Sequence, residues 1–142
     1  AGATTESISL EDLGMPLFTP SENEANGVPD AATDLTQQFL KADAIILLAP
    51  EYNGSIPPVV TNAIAWMSVA GDDFRAAFNG RFAVVGSHSG GGGFKVIEAM
   101  RSQLNHLGMI VLARTFQTSS SKQQNPDSAN AIFKQLIELS SK

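Results

Sequence analysis

Two polar loops are the parts of the chain whose residue types suit ligand binding. Residues 50–56 follow the apolar run 44–49, and residues 87–91 follow the apolar run 82–86. Open parallel sheets bind ligands beyond the carboxyl ends of their strands, and glycine lets the backbone approach a ligand closely. We therefore expect the two loops to lie side by side at one edge of a sheet, with a ligand between them.

The second loop also suggests nucleophilic catalysis. Residues 87–91 follow a predicted strand, precede a predicted helix and loosely match a nucleophile elbow centred on Ser89. The match is imperfect, because Ser87 occupies a usual glycine position and His106 precedes the candidate acid Asp127, which reverses the expected order. A hydrolase stays an alternative, and it would lose ester turnover in Ser89→Ala.

Composition excludes several other functions. The 142 residues include no cysteine, which removes disulfides, thiolate metal sites and thiol nucleophiles. The two histidines lack metal-ligand spacing. A net charge of −5 gives no footprint for nucleic acid, and no signal peptide or membrane-spanning run is present. The sequence predicts a single cytoplasmic domain with no nucleic-acid or membrane partner.

Apolar runs predict the strands that position the loops. Residues 44–49, 82–86 and 109–116 lack polar alternation, which is typical of strands covered on both faces of a parallel sheet. Residues 5–10 alternate instead and predict a half-exposed edge strand. Residues 14–29 contain many breakers and predict a long polar loop.

Helices are predicted between these strands. Apolar residues at three- and four-residue spacing indicate helices near 30–42, 58–68, 96–107 and after Asn125 or Asp127. Asp30 is a candidate cap for the first of them, and Gly108 is a candidate stop for the third. Strands alternating with helices predict an α/β fold, an open parallel sheet with helices on both faces. Trp66 is expected in the core or at a subunit interface.

Residues 43–66, with the sequence DAIILLAPEYNGSIPPVVTNAIAW, closely resemble the hallmark stretch of the NAD(P)H-dependent FMN reductase family. The resemblance continues from residue 87 to the end of the chain, and it implies a flavodoxin-like fold. It also implies an oxidoreductase that passes electrons from NADPH or NADH through FMN to a flavin, a quinone, an azo compound or a similar acceptor. A homodimer or homotetramer is implied as well, with the helix at 58–68 as a plausible interface.

The resemblance places the flavin ring against both loops. The implied cofactor-binding residues are Pro50, Glu51, Tyr52, Asn53, Gly54, Ser55, Ile56, Ser87, His88, Ser89, Gly90 and Gly91. No catalytic acid or base is expected, because a flavin carries the hydride chemistry itself while the protein binds, orients and shields it.

The chain departs from the family pattern at three places. Thr61 and Ala65 stand where family members commonly have Lys and Asp. The chain begins at what matches the second family strand, so the first strand–loop–helix unit, which holds the FMN phosphate, is missing. We expect a truncated sequence or complementation by another chain. A non-catalytic flavodoxin-like binding module without flavin is the second hypothesis.

Overall fold

The computed structural model describes residues 2–141 and contains four strands, five α-helices and one short 3-10 helix at Glu11–Leu13 within them. The strands are β1 (Ala44–Leu48), β2 (Phe82–His88), β3 (Ile110–Val111) and β4 (Phe116–Thr118). The helices are α1 (Pro20–Asn26), α2 (Asp30–Lys41), α3 (Pro58–Met67), α4 (Phe94–His106) and α5 (Pro126–Ser140). The backbone divides into two compact units. One contains the sheet, α4 and α5, and the other contains α1, α2 and α3.

The sheet is open and entirely parallel. β1 pairs with β2 in a register that places Leu48 opposite Gly86, and both β3 and β4 pair with β2. The predicted parallel α/β sheet is therefore confirmed. β2 extends through Ser87 and His88, so these two residues belong to a strand and not to the loop that the sequence suggested.

Both faces of β2 are covered. Val84 forms a buried cluster with Leu112 and the α5 residues Ile132 and Leu136. Residues 83 and 85 alternate to the opposite face and are fully buried as well. Since α4 contacts β2 and β3 but contributes nothing to the α5 cluster, helices lie on both faces of the sheet.

β1 was predicted to be buried on both faces, and this is wrong. It lies at the edge of the described sheet, with Ile46 38% and Leu48 62% exposed. Both side chains point to the same face as Val84, because Ile46 is its register partner. An apolar run shows that a strand is hydrophobic. It does not show whether other elements of the described chain cover both faces of that strand.

The predicted strand at 109–116 is broken into β3 and β4. The pairs Ala83–Val111 and Gly86–Phe116 are three positions apart along β2 but five positions apart along the segment that contains β3 and β4. The extra backbone is held by the Arg101 guanidinium of α4, which donates to the carbonyls of residues 111, 112 and 113 at 3.3, 2.7 and 3.3 Å. A side chain from α4 therefore replaces the missing strand pairing.

The N-terminal part of the chain differs most from the sequence-based predictions. Residues 5–10 contain no strand, although Ile8 and Leu10 are more buried than their neighbours, because no strand of the described chain pairs with them. The predicted loop 14–29 contains α1, whose N-cap Thr19 accepts the N–H of Glu22 at 3.0 Å. Asp30 is the first residue of α2 and not its cap.

Trp66 was expected in the core or at a subunit interface, and it lies in the core of its unit. Its side chain is fully buried, its indole N–H donates to the Pro16 carbonyl at 2.7 Å, and its ring meets Phe18 edge to face at 5.0 Å. Asn62 of the same helix accepts the Phe18 N–H at 2.7 Å and donates to the Pro16 carbonyl at 3.0 Å. These contacts fix residues 16–18 along α3.

Candidate functional site

The loop after β1 contains a tight two-residue turn. Tyr52 and Ser55 exchange both backbone hydrogen bonds, at 3.1 and 3.0 Å. Asn53 (φ 52°) and Gly54 (φ 74°) both have left-handed backbone conformations. Two successive positive φ values are the pattern of a type I′ turn, in which Asn-Gly is the preferred pair. The sequence of this loop therefore specifies a defined backbone shape.

The loop after β2 turns back on itself and starts α4. The Gly92 N–H donates to the Ser89 carbonyl at 2.9 Å, and Gly93 (φ 69°) is the N-cap of α4. A Cβ on Gly93 would collide with the Oγ of Ser87 and would lie 2.5 Å from its Cβ. Only glycine fits at residue 93, both for its backbone conformation and for the space available.

The two loops contact each other directly. The Glu51 N–H donates to the Ser89 Oγ at 2.7 Å, and the Glu51 Oε2 accepts the N–H of Val96, in the first turn of α4, at 3.1 Å. The Ser89 Oγ also lies 3.2 Å from the Ser87 Oγ. The expected arrangement of the two loops side by side at one edge of the sheet is therefore confirmed.

A third turn at the same edge was missed by the sequence analysis. It follows β4: the His88 Nδ1 lies 2.9 Å from the Thr118 Oγ1, and the Ser89 N–H donates to the Thr118 carbonyl at 3.2 Å. Ser119 is buried and exchanges backbone hydrogen bonds with Lys122. The parallel direction of the strands was the signal that could have found this turn, since it brings all their carboxyl ends to one edge.

Four backbone N–H groups at the tips of these first two turns are left without an acceptor. Within residues 2–141, the N–H groups of Glu51, Tyr52, Ser55 and Ser89 are all donated to protein oxygens. At the tips of the two turns, the N–H groups of Asn53, Gly54, Gly90 and Gly91 have no protein acceptor among the described residues. Unpaired amides beside left-handed turns form a site for ligand oxygen or nitrogen acceptors. A Cβ at Gly90 or Gly91 would meet nothing within 4 Å, so the backbone there is open.

Exposed aromatic residues lie close to these amides in the sequence, and one basic side chain lies against Gly54. Tyr52 is 55% exposed and Phe94, at the start of α4, is 66% exposed. The Lys95 side chain passes Gly54, where an added Cβ would lie 3.4 Å from its Cδ and 3.8 Å from its Nζ. The edge therefore offers flat apolar surface, hydrogen-bond donors and a cation, all of which suit a planar, acceptor-rich ligand.

The described residues do not form a serine hydrolase site. The Ser89 hydroxyl is engaged by the Glu51 N–H. His106 lies at the far end of α4, which at about 1.5 Å per residue puts roughly 18 Å of helix between it and the start of α4. His88 is hydrogen-bonded to Thr118 rather than to Ser89. Residues 2–141 also contain no group of three or more His, Asp or Glu that could hold a metal ion.

The open parallel sheet with helices on both faces defines a flavodoxin-like α/β protein, and the edge beyond its strands is the candidate ligand site. The family model described as NADPH-dependent FMN reductase matches residues 1–123. The chain therefore belongs to the NADPH-dependent FMN reductase family, as its resemblance indicated. No helix in the described part of the chain is long and apolar enough to cross a membrane.

Curated relatives agree with this family, and a solved structure agrees with the fold. The chain is 33% identical to a quinone reductase of Escherichia coli over 69 residues, which are 48% of this chain and 37% of that protein. It is 30% identical to a quinone reductase of Pseudomonas putida over 106 residues, covering 72% of this chain and 55% of the relative. The chain thus matches only about a third to a half of these relatives. Its fold is similar to that of FerB, an NAD(P)H:acceptor oxidoreductase from Paracoccus denitrificans, with a TM-score of 0.65 and 20% identity over 93% of this chain and 81% of FerB.

Proposed function

We propose that the protein is an oxidoreductase that binds FMN noncovalently at the three turns and passes electrons from NADPH or NADH to a small-molecule acceptor. The observation that carries this proposal is the set of four unpaired amides, on two turns at one edge of the sheet, in a chain of the FMN reductase family. The residues present fit a flavin, because the backbone donors are open and two of the four sit on glycines with free space around them.

The chain's own groups have separate roles in this proposal. The amides of Asn53, Gly54, Gly90 and Gly91 hold and orient the ring, and donors facing its acceptor atoms favour the more electron-rich reduced form. Bound flavin supplies the hydride chemistry, since it accepts a hydride from nicotinamide and returns the electrons to an acceptor. Tyr52 and Phe94 offer exposed aromatic surface beside the amides for the planar partners.

Quinones are the acceptor class that we favour, and flavins and azo compounds follow. The Escherichia coli and Pseudomonas putida relatives are named quinone reductases. Donor and acceptor would use the same open side of the ring in turn, which predicts ping-pong kinetics. We also propose a cytoplasmic location and a homodimer or homotetramer. Val59 is the large apolar side chain of α3 that is exposed. The apolar surface that α3 could contribute to a subunit interface is therefore small.

Titration with FMN tests the proposal. Purified protein should quench FMN fluorescence with saturation, and the complex should be bleached by NADPH or NADH and reoxidised by a quinone. Gly91→Pro removes one of the four amides, and the preceding Gly90 tolerates the backbone restriction that proline imposes. Losing one hydrogen bond of about 0.5–1.5 kcal/mol predicts roughly 2- to 10-fold weaker FMN binding.

Gly91→Ala is the matched control for this experiment. It keeps the N–H and adds a Cβ where no protein atom lies within 4 Å, so the loop should keep its shape and FMN should bind more tightly than to Gly91→Pro. Equal weakening by alanine and proline would show that the amide is not the contact. Protein that takes up no FMN at all would favour the second hypothesis, a flavodoxin-like binding module without a cofactor.

A further inference from the structure

The first turn of α4 is capped by the side chain of Glu51, which lies 45 positions before Val96 in the sequence. Its N-cap is Gly93, which has no side chain to accept the N–H groups of the first turn. The carboxylate of Glu51 takes this place and accepts the Val96 N–H at 3.1 Å. A carboxylate at a helix N-terminus satisfies a donor that the helix cannot satisfy and interacts favourably with the helix dipole.

The backbone of Glu51 is held by the same neighbouring turn. Its N–H donates to the Ser89 Oγ at 2.7 Å. One residue of the first loop therefore makes two hydrogen bonds to two different parts of the second, the turn and the start of α4. Two such points of attachment fix both the separation and the orientation of the loops.

We propose that Glu51 and Ser89 are positioning residues, which hold the amides of Asn53 and Gly54 at a set distance from those of Gly90 and Gly91. This inference rests on the proposed flavin function. It differs from the sequence-based expectation, which made Glu51 and Ser89 flavin contacts. An ionised carboxylate can only accept hydrogen bonds, so the Glu51 side chain has nothing to donate to the oxygens of a flavin ring. One of its two oxygens, Oε2, accepts from α4 instead.

The choice of substitutions separates a positioning role from direct contact. Glu51→Gln keeps an oxygen that can accept the Val96 N–H, whereas Glu51→Ala removes it. Ser89→Thr keeps the hydroxyl that accepts the Glu51 N–H, whereas Ser89→Ala removes it. In each pair we expect the conservative variant to bind FMN within about 2-fold of the unchanged protein and the alanine variant to bind roughly 10-fold more weakly, the effect expected from losing a hydrogen bond to a charged or closely held group.

Amide hydrogen exchange without FMN gives a second readout. The Val96 N–H should exchange about 10-fold faster or more in Glu51→Ala, because its acceptor is gone, and should stay protected in Glu51→Gln. Glu98→Ala is the matched control. Glu98 lies on the same helix but is half exposed and makes only a 3.8 Å ion pair with Arg101, so its removal should change neither measurement.

The two readouts distinguish failure of this inference from failure of the proposed function. If Glu51→Gln loses as much FMN affinity as Glu51→Ala while Val96 exchange is unchanged in both, Glu51 is a direct charged ligand and the inference is overturned. If the unchanged protein binds no FMN, the proposed function fails, and faster Val96 exchange in Glu51→Ala alone would still support the link between the loops.

Discussion

Gly93→Ala should destabilise the unit that contains the sheet. Gly93 has a φ of 69°, and a non-glycine residue in this conformation costs about 1–2 kcal/mol. The new Cβ would also collide with the Oγ of Ser87 and lie 2.5 Å from its Cβ. Overpacking of this kind costs roughly 1–3 kcal/mol, so we expect a total loss of about 2–5 kcal/mol in the free energy of unfolding.

Equilibrium unfolding in urea measures this loss. A domain is stabilised by only about 5–15 kcal/mol, so the midpoint should fall clearly. Gly90→Ala is the control, because residue 90 lies in the same loop with no positive φ and nothing within 4 Å of an added Cβ. Its stability should change by no more than about 0.5–1 kcal/mol, and an increase is possible because alanine restricts the unfolded chain.

A double-mutant cycle with Ser87→Gly isolates the steric part. Without the Ser87 side chain, Gly93→Ala should cost only the backbone term of about 1–2 kcal/mol. The coupling energy between the two substitutions should therefore be roughly 1–3 kcal/mol. Gly93→Ala could lower the free energy of unfolding equally with and without the Ser87 side chain, or by no more than Gly90→Ala does. Either result would refute the argument that residue 93 lies in van der Waals contact with Ser87 of β2.

Two further substitutions test the long-range side-chain contacts. Arg101→Ala removes the donor to the carbonyls of residues 111, 112 and 113 and should lower the free energy of unfolding in urea by about 1–3 kcal/mol. Arg101→Lys cannot reach all three carbonyls, so its free energy of unfolding should lie between those of the unchanged protein and the alanine variant. An alanine variant as stable as the unchanged protein would contradict this role. Asn62→Ala frees the Phe18 N–H, removes one of the two donors to the Pro16 carbonyl and should speed proteolysis within 14–19. Asn62→Asp keeps the acceptor only and should have an intermediate rate, whereas equal rates in all three proteins would show that the contacts do not hold this segment.

Hydrophobic pattern predicted several elements correctly. β2 was found from an apolar run and α4 from apolar residues at three- and four-residue spacing. Of the two candidate starts for α5, Asn125 is the N-cap, and its side chain accepts the Ser128 N–H at 2.9 Å. The pattern failed for β1 and for residues 5–10, because burial of a strand depends on neighbours that its own sequence does not contain. The break between β3 and β4 was equally hidden, since it depends on Arg101 of another element.

The loop shapes were partly predictable. Asn-Gly is the pair preferred in type I′ turns, so the tight turn at Asn53 and Gly54 could have been predicted from these two residues. The contacts of Glu51 were not predictable in the same way. Its partners Ser89 and Val96 lie 38 and 45 residues away, so a local pattern carries no information about them.

The candidate site differs in kind from one built of reactive side chains. Every non-proline residue has a backbone N–H, so residue type alone cannot show which amides are available to a ligand. Availability depends on whether neighbouring bonds leave an amide unpaired: the bonds between Tyr52 and Ser55 leave Asn53 and Gly54 at the tip of their turn, and the Ser89–Gly92 bond leaves Gly90 and Gly91 at the tip of the other. The side chains that look functional in the sequence, Glu51 and Ser89, are the ones whose hydrogen bonds connect these two turns. A search for catalytic side chains would therefore select Glu51 and Ser89, which hold the two turns together. It would overlook the backbone N–H groups that can donate hydrogen bonds to a ligand.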